Sequence, residues 1–492
     1  MKNILSKLES SNSFWFLFIT TFFFFLLRLP SLFEPYWYGD EGIYEVIGYA
    51  MRHGRILYSG IWDNKPPLLY LIYALFSGDQ FGAKLASLLV GVLSVVVFYF
   101  LAKKLLIKRL HVYIATGFFT VLFGIPLLEG NIANAENFML LPIMAGALLI
   151  LKVSTKKKLQ TTSYILLATS GLLLGIAFLI KIVSIFDLGA FMIFIGFLWL
   201  GNFKSIWKIL FAWTILGISF VLPLFVTTLY FISLHQLPLF IQSAFTSNVG
   251  YVNYGNQIFI PFTHHLLPQG FLLIKLFFLF IFLGLLFLLR KKLSFSHLFI
   301  CILLAFSLFN ALFSQRPYTH YVLVMLPAFC LLIGTIQKKS FTLFSLGIGI
   351  ILLVILWKNF NFYNKSIGYY ANFLSFVTHQ KTQDMYQAFF DANTPKDYHV
   401  ADFINQNKHE GDSVFVFGNS GQIYALTHTL PPGRFIVAYW ITSTPQTLTE
   451  TTMAFKKTVP TFFVIQPGQA TVPFSLKAYA KKIQIDDRLI YE

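Results

Sequence analysis

The acidic residues of the first third of the chain are concentrated in one aromatic segment. Five carboxylates occur there: Glu34, Asp40, Glu41, Glu45 and Asp63. The segment reads Pro-Tyr-Trp-Tyr-Gly-Asp-Glu-Gly from residue 35 and Trp-Asp-Asn-Lys-Pro-Pro from residue 62. A carboxylate within hydrogen-bond reach of a hydroxyl can take its proton as a general base. Asp40 and Glu41 are therefore candidate catalytic residues, and the alternative for Asp40 is that it only caps the helix predicted to follow it.

A further carboxylate and a few isolated cations occur at the ends of apolar runs. Glu136 stands in Asn-Ala-Glu-Asn-Phe, where a carboxylate is typically functional or ion-paired, although stabilising a helix N-terminus is the simpler role. Lys65 precedes two prolines, Lys181 separates two apolar runs, and Arg316 follows Ser-Gln. These cations are candidates for binding an anionic phosphate group, and the alternative is snorkelling towards lipid head groups. His320 could contact the phosphate or serve as a structural hydrogen-bond donor.

The composition predicts the class of protein that carries these residues. Of the 492 residues, 57% are hydrophobic and 12% are charged, and the mean hydropathy is +0.69. A soluble protein with so little charge could not keep its surface hydrated, so we expect a polytopic α-helical membrane protein. The net charge of +17 lies mostly in residues 1–357, which hold 25 Lys and Arg against 10 Asp and Glu. Because these cations cluster in short loops without interleaved aromatic residues, nucleic acid is not expected as a partner.

About eleven transmembrane helices are predicted from hydropathy. They cover residues 14–33, 80–102, 111–129, 137–152, 163–180, 183–200, 209–232, 269–289, 297–313, 320–336 and 341–357. Six segments with 17 Lys and Arg and one acid alternate between these spans on a single side, which the positive-inside rule makes cytoplasmic. The first span lacks a small-residue cleavage site after it, so we expect a retained signal anchor.

Two domains follow from this topology. Residues 1–357 form a transmembrane module with an outer loop over 34–79, and residues 358–492 form a small extracytoplasmic α/β domain. In this tail we predict helices at 400–408 and 422–427 and strands at 413–417, 435–439 and 461–465. The Gly-Asn-Ser-Gly sequence at residue 418 lacks the lysine of a phosphate-binding loop and is interpreted as a strand-to-helix turn.

Several motifs resemble those of a known superfamily. Gly39-Asp-Glu-Gly-Ile-Tyr, followed by Asp63-Asn-Lys-Pro-Pro-Leu-Leu-Tyr, resembles the first outer loop of GT-C membrane glycosyltransferases. The branch it looks most like contains the bacterial relatives of protein O-mannosyltransferases and of the aminoarabinose transferase acting on lipid A. Further similar segments are Asn134-Ala-Glu-Asn-Phe, Gly175-Ile-Ala-Phe-Leu-Ile-Lys181 and Arg316-Pro-Tyr-Thr-His-Tyr. The resemblance covers residues 14 to about 340 and does not specify a substrate.

The resemblance implies an inverting glycosyltransferase that moves a sugar from a polyprenyl-phosphate donor to an acceptor hydroxyl. Asp40 would be the general base, with Glu41 and Glu136 positioning the acceptor or tuning Asp40. The cations Lys65, Arg316 and Lys181, together with His320, would hold the donor phosphate. The expected partners are the lipid-linked donor, membrane lipids and a protein, lipid or polysaccharide acceptor.

Other functions stay open at this stage. A lipid-linked sugar transporter or flippase would also place charges at a membrane cavity, but it predicts charges near mid-depth and internal repeats, and no repeat is visible. An O-antigen ligase or polymerase is disfavoured by the early Asp-Glu loop. No cofactor is firmly predicted: members of the superfamily differ in their need for a divalent metal ion, and His264-His265 alone is a weak metal motif. The two cysteines, Cys301 and Cys330, offer no disulfide framework.

Overall fold

The computed structural model describes residues 12–76, 79–155, 160–201, 203–260, 265–335, 339–468 and 471–492. The chain divides into two compact units. The first comprises Met1–Leu29, Ala86–His235 and Phe245–Ser366, and the second comprises Pro30–Leu85, Gln236–Ala244 and Ile367–Glu492. Several residues used in the topology prediction lie outside the described residues: Lys2, Lys7, Lys156–Lys158 and Lys338.

The first unit is built from apolar helices. Its α-helices are Asn12–Arg28, most of Gln80–Leu105, Arg109–Gly124, Ala135–Ser154, Thr161–Ile180, Ile185–Trp199, Phe203–Ser233, Ser247–Gly255, Gly270–Leu289, Phe295–Ala311, Leu326–Gly334 and Lys339–Asn359. Shorter elements are the 3₁₀ turns Pro126–Leu128, Ile182–Ser184 and Thr319–Met325, and the two-stranded antiparallel ribbon of Ile258–Ile260 with His265–Leu267. Every span predicted from hydropathy contains a helix.

Seven of the described helical segments are long and apolar enough to cross a membrane. They are Ser13–Phe33, Gln80–Leu105, Ala135–Ser154, Thr161–Ile180, Ile182–Trp199, Ser205–Ser233 and Gly270–Leu289. The segment Gly270–Leu289 leaves most of its apolar side chains uncovered, and Phe277, Phe278 and Phe280 are each more than 60% exposed. Such a surface is stable in lipid and not in water, which confirms the polytopic α-helical class. The number of eleven spans stays a prediction, since the other predicted spans correspond to shorter apolar helices.

The second unit combines the segment predicted to be the first outer loop, called the outer loop below, with the C-terminal tail. Its helices are Gly39–Arg52, Pro67–Phe76, Leu237–Ile241, Ser366–Val377, Gln383–Phe390, Thr394–Asn407, Gln422–Thr427, Ala438–Ile441 and Pro445–Lys457, with the 3₁₀ turn Leu29–Phe33 at its start and the π-helical turn Gln242–Thr246 at its edge. A four-stranded sheet has the order Val414–Phe417, Phe462–Ile465, Arg488–Tyr491, Lys482–Ile485. The first two strands are parallel and the remaining pairs are antiparallel. A small C-terminal sheet with accompanying helices is therefore present, as predicted.

Some predicted elements of the tail differ from the structure. The strands at 413–417 and 461–465 and the helix at 422–427 are confirmed, and the helix predicted at 400–408 is the end of Thr394–Asn407. The strand predicted at 435–439 is wrong. Phe435 forms only a single bridge, to Trp62 of the outer loop. The chain then continues into the short helix Ala438–Ile441. The first amide of this helix, that of Ala438, donates a hydrogen bond to the Gly418 carbonyl. The apolar residues of segment 435–439 are buried by packing and not by pairing in a sheet. An apolar run in the sequence does not distinguish these two kinds of burial.

The division into compact units cuts the chain differently from the predicted membrane topology. The division by topology at residue 357 stays a prediction, while the outer loop 34–79 belongs to the same compact unit as the tail.

Two glycines allow the tail to pack closely on the outer-loop helix. A Cβ at Gly421 would lie 2.8 Å from the Gly42 carbonyl carbon, and a Cβ at Gly42 would lie 3.1 Å from the Gln422 amide nitrogen. The tail therefore packs backbone to backbone on the helix that carries Asp40 and Glu41.

Candidate active site

The outer-loop helix Gly39–Arg52 carries the first predicted catalytic residues. One face of this helix is apolar and buried, because Ile43, Val46, Ile47 and Ala50 are each at most 5% exposed. The N-cap position is occupied by Tyr38, and Asp40 and Glu41 lie in the first helical turn. Asp40 is thus not the N-cap residue. A first-turn carboxylate still benefits from the positive end of the helix dipole.

Glu41 belongs to a buried ion cluster with Glu34 and Lys84. The Lys84 ammonium lies 2.8 Å from Glu34 Oε2 and 3.0 Å from Glu41 Oε2, and all three side chains are at most 2% exposed. Glu34 also accepts hydrogen bonds from Tyr369 Oη at 2.6 Å and from Trp37 Nε1 at 3.0 Å. This cluster ties the outer loop to the start of helix Gln80–Leu105 and to the tail. Its geometry gives Glu41 a role in holding the loop helix in place.

Asp40 has a different environment from its neighbour. Its carboxylate is half-buried and accepts a hydrogen bond from Tyr44 Oη, one helical turn further on, at 3.0 Å. The Lys65 ammonium lies 4.9 Å from the centre of the Tyr44 ring. Tyr44 is 1% exposed, so the residue that contacts both the carboxylate and the cation is itself held by packing. This arrangement leaves Asp40 partly accessible, as a general base must be.

Lys65 is held in place through its own backbone. Its amide donates to Tyr70 Oη at 3.1 Å, and its carbonyl accepts from Tyr58 Oη at 2.8 Å. Burial, and then the charge of Asp63, hold the pKa of Tyr58 and Tyr70 well above the ordinary value, so both stay protonated. Tyr70 Oη donates to Asp63 Oδ2 at 2.7 Å, and the same oxygen lies 3.4 Å from the Lys65 ammonium. The lysine head is therefore oriented and is 22% exposed.

The first unit contains a second cluster, centred on Glu136. This residue lies in the first turn of helix Ala135–Ser154 and is 2% exposed. Lys181, which ends helix Thr161–Ile180, donates to Glu136 Oε1. His320 Nε2 lies 4.0 Å from the same oxygen, and His320 Nδ1 lies 2.7 Å from Glu129 Oε2. Glu129 adopts a left-handed backbone with φ of 57°, which is uncommon for a residue other than glycine.

Two tyrosines connect this cluster to Arg316. The Lys181 ammonium lies 4.2 Å from the Tyr321 ring centre, and the Tyr321 and Tyr251 hydroxyls are 3.1 Å apart. The Arg316 guanidinium lies 4.8 Å from the ring centre of Tyr251 and 4.7 Å from that of Tyr254. Its Nε is buried without a hydrogen-bond partner among the described residues. Stacking on aromatic faces leaves the N–H groups of an arginine available for an oxyanion.

The predicted site residues thus fall into two groups. Asp40, Glu41 and Lys65 lie in the second unit, and Glu136, Lys181, Arg316 and His320 form a network in the first. Lys84 and Glu129 were missed, although a lone lysine early in a long apolar span was a usable signal for Lys84. Within the described residues, no group of three His, Cys, Asp or Glu side chains could hold a metal ion. His264 of the weak His-His motif lies outside the described residues.

The fold is that of a polytopic α-helical membrane protein with two clusters of buried charged residues, and comparisons with known proteins show what the chain is similar to. Residues 45–240 match the family model of dolichyl-phosphate-mannose-protein mannosyltransferase. No curated protein sequence matches the chain.

One of the similar solved structures has the same fold. The crystal structure of ArnT from Cupriavidus metallidurans bound to undecaprenyl phosphate is similar with a TM-score of 0.55 and 15% identity, covering 98% of each chain. The apo oligosaccharyltransferase of Archaeoglobus fulgidus is more distant, with a TM-score of 0.49 and 13% identity over 91% of this chain and 69% of the other. These comparisons confirm the predicted resemblance. The family model supports the glycosyltransferase class of enzyme, and the ArnT structure supports the fold.

Proposed function

We propose that this protein is an inverting glycosyltransferase that moves a sugar from a polyprenyl-phosphate donor to an acceptor hydroxyl at the outer face of the cytoplasmic membrane. The donor class is supported by the matching family, whose description names a dolichyl-phosphate sugar, and by the similar ArnT structure, which holds undecaprenyl phosphate. The location is supported by the distribution of Lys and Arg between the spans. The tail is proposed to lie on the same outer side.

The contrast between Asp40 and Glu41 carries the assignment of the base. Glu41 is enclosed in an ion pair with Lys84 and is 2% exposed. Asp40, one residue earlier, is half-buried and oriented by the Tyr44 hydroxyl. A general base needs a defined orientation together with access to the substrate proton. Asp40 meets both needs, so we assign it as the base and assign Glu41 as the residue that positions its helix.

The proposed reaction is a single displacement. The acceptor oxygen forms a bond to the anomeric carbon while the bond from that carbon to the phosphate oxygen breaks, and Asp40 takes the hydroxyl proton. Attack opposite the phosphate inverts the anomeric centre, and no carboxylate nucleophile is required. Lys65, Arg316, Lys181 and His320 are proposed to bind the phosphate, which gains negative charge as it leaves. Glu136 is proposed to orient Lys181, to which it is paired.

The experiment that tests this proposal compares Asp40→Asn with the wild-type enzyme. Purified protein is incubated with a panel of undecaprenyl-phosphate hexoses and pentoses, and with acceptors identified by mass spectrometry of glycolipids and glycoproteins from cells with and without the chain. Asp40→Asn keeps the shape and loses the base, so turnover should fall by about two orders of magnitude or more, with donor binding retained.

Asp79→Asn is the matched control. Asp79 belongs to the same outer loop and is exposed, and its carboxylate accepts from the Phe81 amide, a bond that asparagine can also accept. We expect its turnover to match the wild type. Near wild-type transfer by Asp40→Asn would remove Asp40 from the mechanism. A flippase would instead move the intact lipid-linked sugar and release no polyprenyl phosphate, so product analysis separates the two functions.

A further inference from the structure

A short helix of the tail is attached to the outer loop beside the acidic residues. The Trp62 amide donates to the Arg434 carbonyl at 2.9 Å, and Trp62 forms a parallel bridge with Phe435. The rings of Trp62 and Trp440 meet edge to face with centres 4.6 Å apart. Because Asp63 directly follows Trp62, the helix Ala438–Ile441 is held close to the acidic and basic groups of the loop.

Tyr439 is the most exposed residue of this helix. Ala438 and Ile441 are at most 2% exposed, whereas Tyr439 is 46% exposed. Its backbone is fixed, because the Tyr439 amide donates to Asn419 Oδ1 at 3.3 Å and the preceding amide is bonded to Gly418. The packing of the helix is thus supplied by its other side chains, and the Tyr439 ring is not needed to fill the core.

The charges of the outer loop act on the Tyr439 hydroxyl. Its pKa is raised, first by desolvation and then by the negative charges of Asp63 and Asp40, while Lys65 acts in the opposite direction. The phenol is therefore neutral at physiological pH and lies within electrostatic range of these three side chains. It presents an apolar ring face and a hydroxyl that can both donate and accept.

A sugar ring has the complementary surface, with an apolar C–H face and a rim of hydroxyl groups. We propose that Tyr439 binds the sugar ring on which the Asp40 cluster acts, so that the C-terminal domain contributes to substrate binding. This inference rests on the proposed transfer reaction. The ring could belong to the donor or to a glycosylated acceptor, and separate KM measurements distinguish the two.

Two conservative variants test the proposal. Tyr439→Phe keeps the flat aromatic face, and Tyr439→Leu keeps apolar bulk without it. The KM for the donor and for the acceptor are measured with the undecaprenyl-phosphate sugar that the wild type uses. Tyr439→Leu should raise one of the two KM values about tenfold, with a smaller change in kcat, and Tyr439→Phe should stay within about threefold of the wild type. A rise confined to the donor KM assigns the donor sugar, and a rise confined to the acceptor KM assigns the acceptor.

Met453→Ala is the control, because Met453 is 57% exposed on helix Pro445–Lys457 of the same unit and should change neither KM. Equal KM values for Tyr439→Phe, Tyr439→Leu and the wild type would overturn the role of Tyr439. Absence of transfer by the wild type from every donor would instead refute the proposed function, so the two failures are distinct.

Discussion

Replacing Lys84 with methionine should destabilise the unit that carries Asp40. Lys84→Met keeps the apolar stem and removes the cation that pairs with two carboxylates, both at most 2% exposed. Removing one member of a buried ion pair typically costs about 3–5 kcal/mol, because the remaining charge is left buried. Glu34 keeps its hydrogen bonds from Trp37 and Tyr369, which should offset part of the penalty at that carboxylate.

The expected loss corresponds to a large shift in thermal unfolding. For a unit of about 190 residues, each kcal/mol lowers Tm by about 2–4 °C, so the midpoint should fall by roughly 10 °C. The assay is thermal unfolding of the purified protein in one detergent, followed by tryptophan fluorescence. Lys104→Met is the matched control, since Lys104 lies exposed near the other end of the same helix and should change Tm little.

A second substitution tests the cause of the shift. Adding Glu41→Gln to Lys84→Met removes one of the two buried carboxylate charges and should recover part of the lost stability, because a neutral amide is far cheaper to bury than a carboxylate. Two results would contradict this reasoning: a Tm for Lys84→Met within about 2 °C of the wild type, or a double variant no more stable than the single one.

Two further predictions concern the loop helix and the cations. Gly42→Ala should destabilise the protein by about 1–3 kcal/mol, because its Cβ would crowd the Gln422 backbone, whereas Gly39→Ala, with no atom within 4 Å, should be neutral or slightly stabilising in the same thermal assay. Equal Tm values for the two variants would show that the tail does not press on this helix. Lys65→Ala and Arg316→Ala should each weaken binding of the donor and slow transfer, measured as donor affinity and turnover. Full activity of both variants would show that these residues do not bind the donor phosphate.

Local patterns in the sequence were sufficient for the membrane class and for much of the outer loop. Hydropathy over windows of about twenty residues predicts apolar helices, since lipid requires them whatever the tertiary contacts are. The spacing of Ile43, Val46, Ile47 and Ala50 is typical of an amphipathic helix, and the structure has the helix Gly39–Arg52 there, with all four side chains buried. The Asp-Glu and Lys-Pro-Pro motifs were enough to indicate the resemblance, because both motifs are short and contiguous.

Only the tertiary structure separated the roles of adjacent residues. Asp40 and Glu41 are equivalent as a sequence pair, yet successive helical positions point about 100° apart, and one carboxylate meets Lys84 while the other meets Tyr44. Lys84 is 50 residues from Glu34, and Tyr439 is almost 400 residues from the loop, so no local period or spacing could pair them. Such contacts depend on how distant segments pack, and that packing is decided by the whole fold.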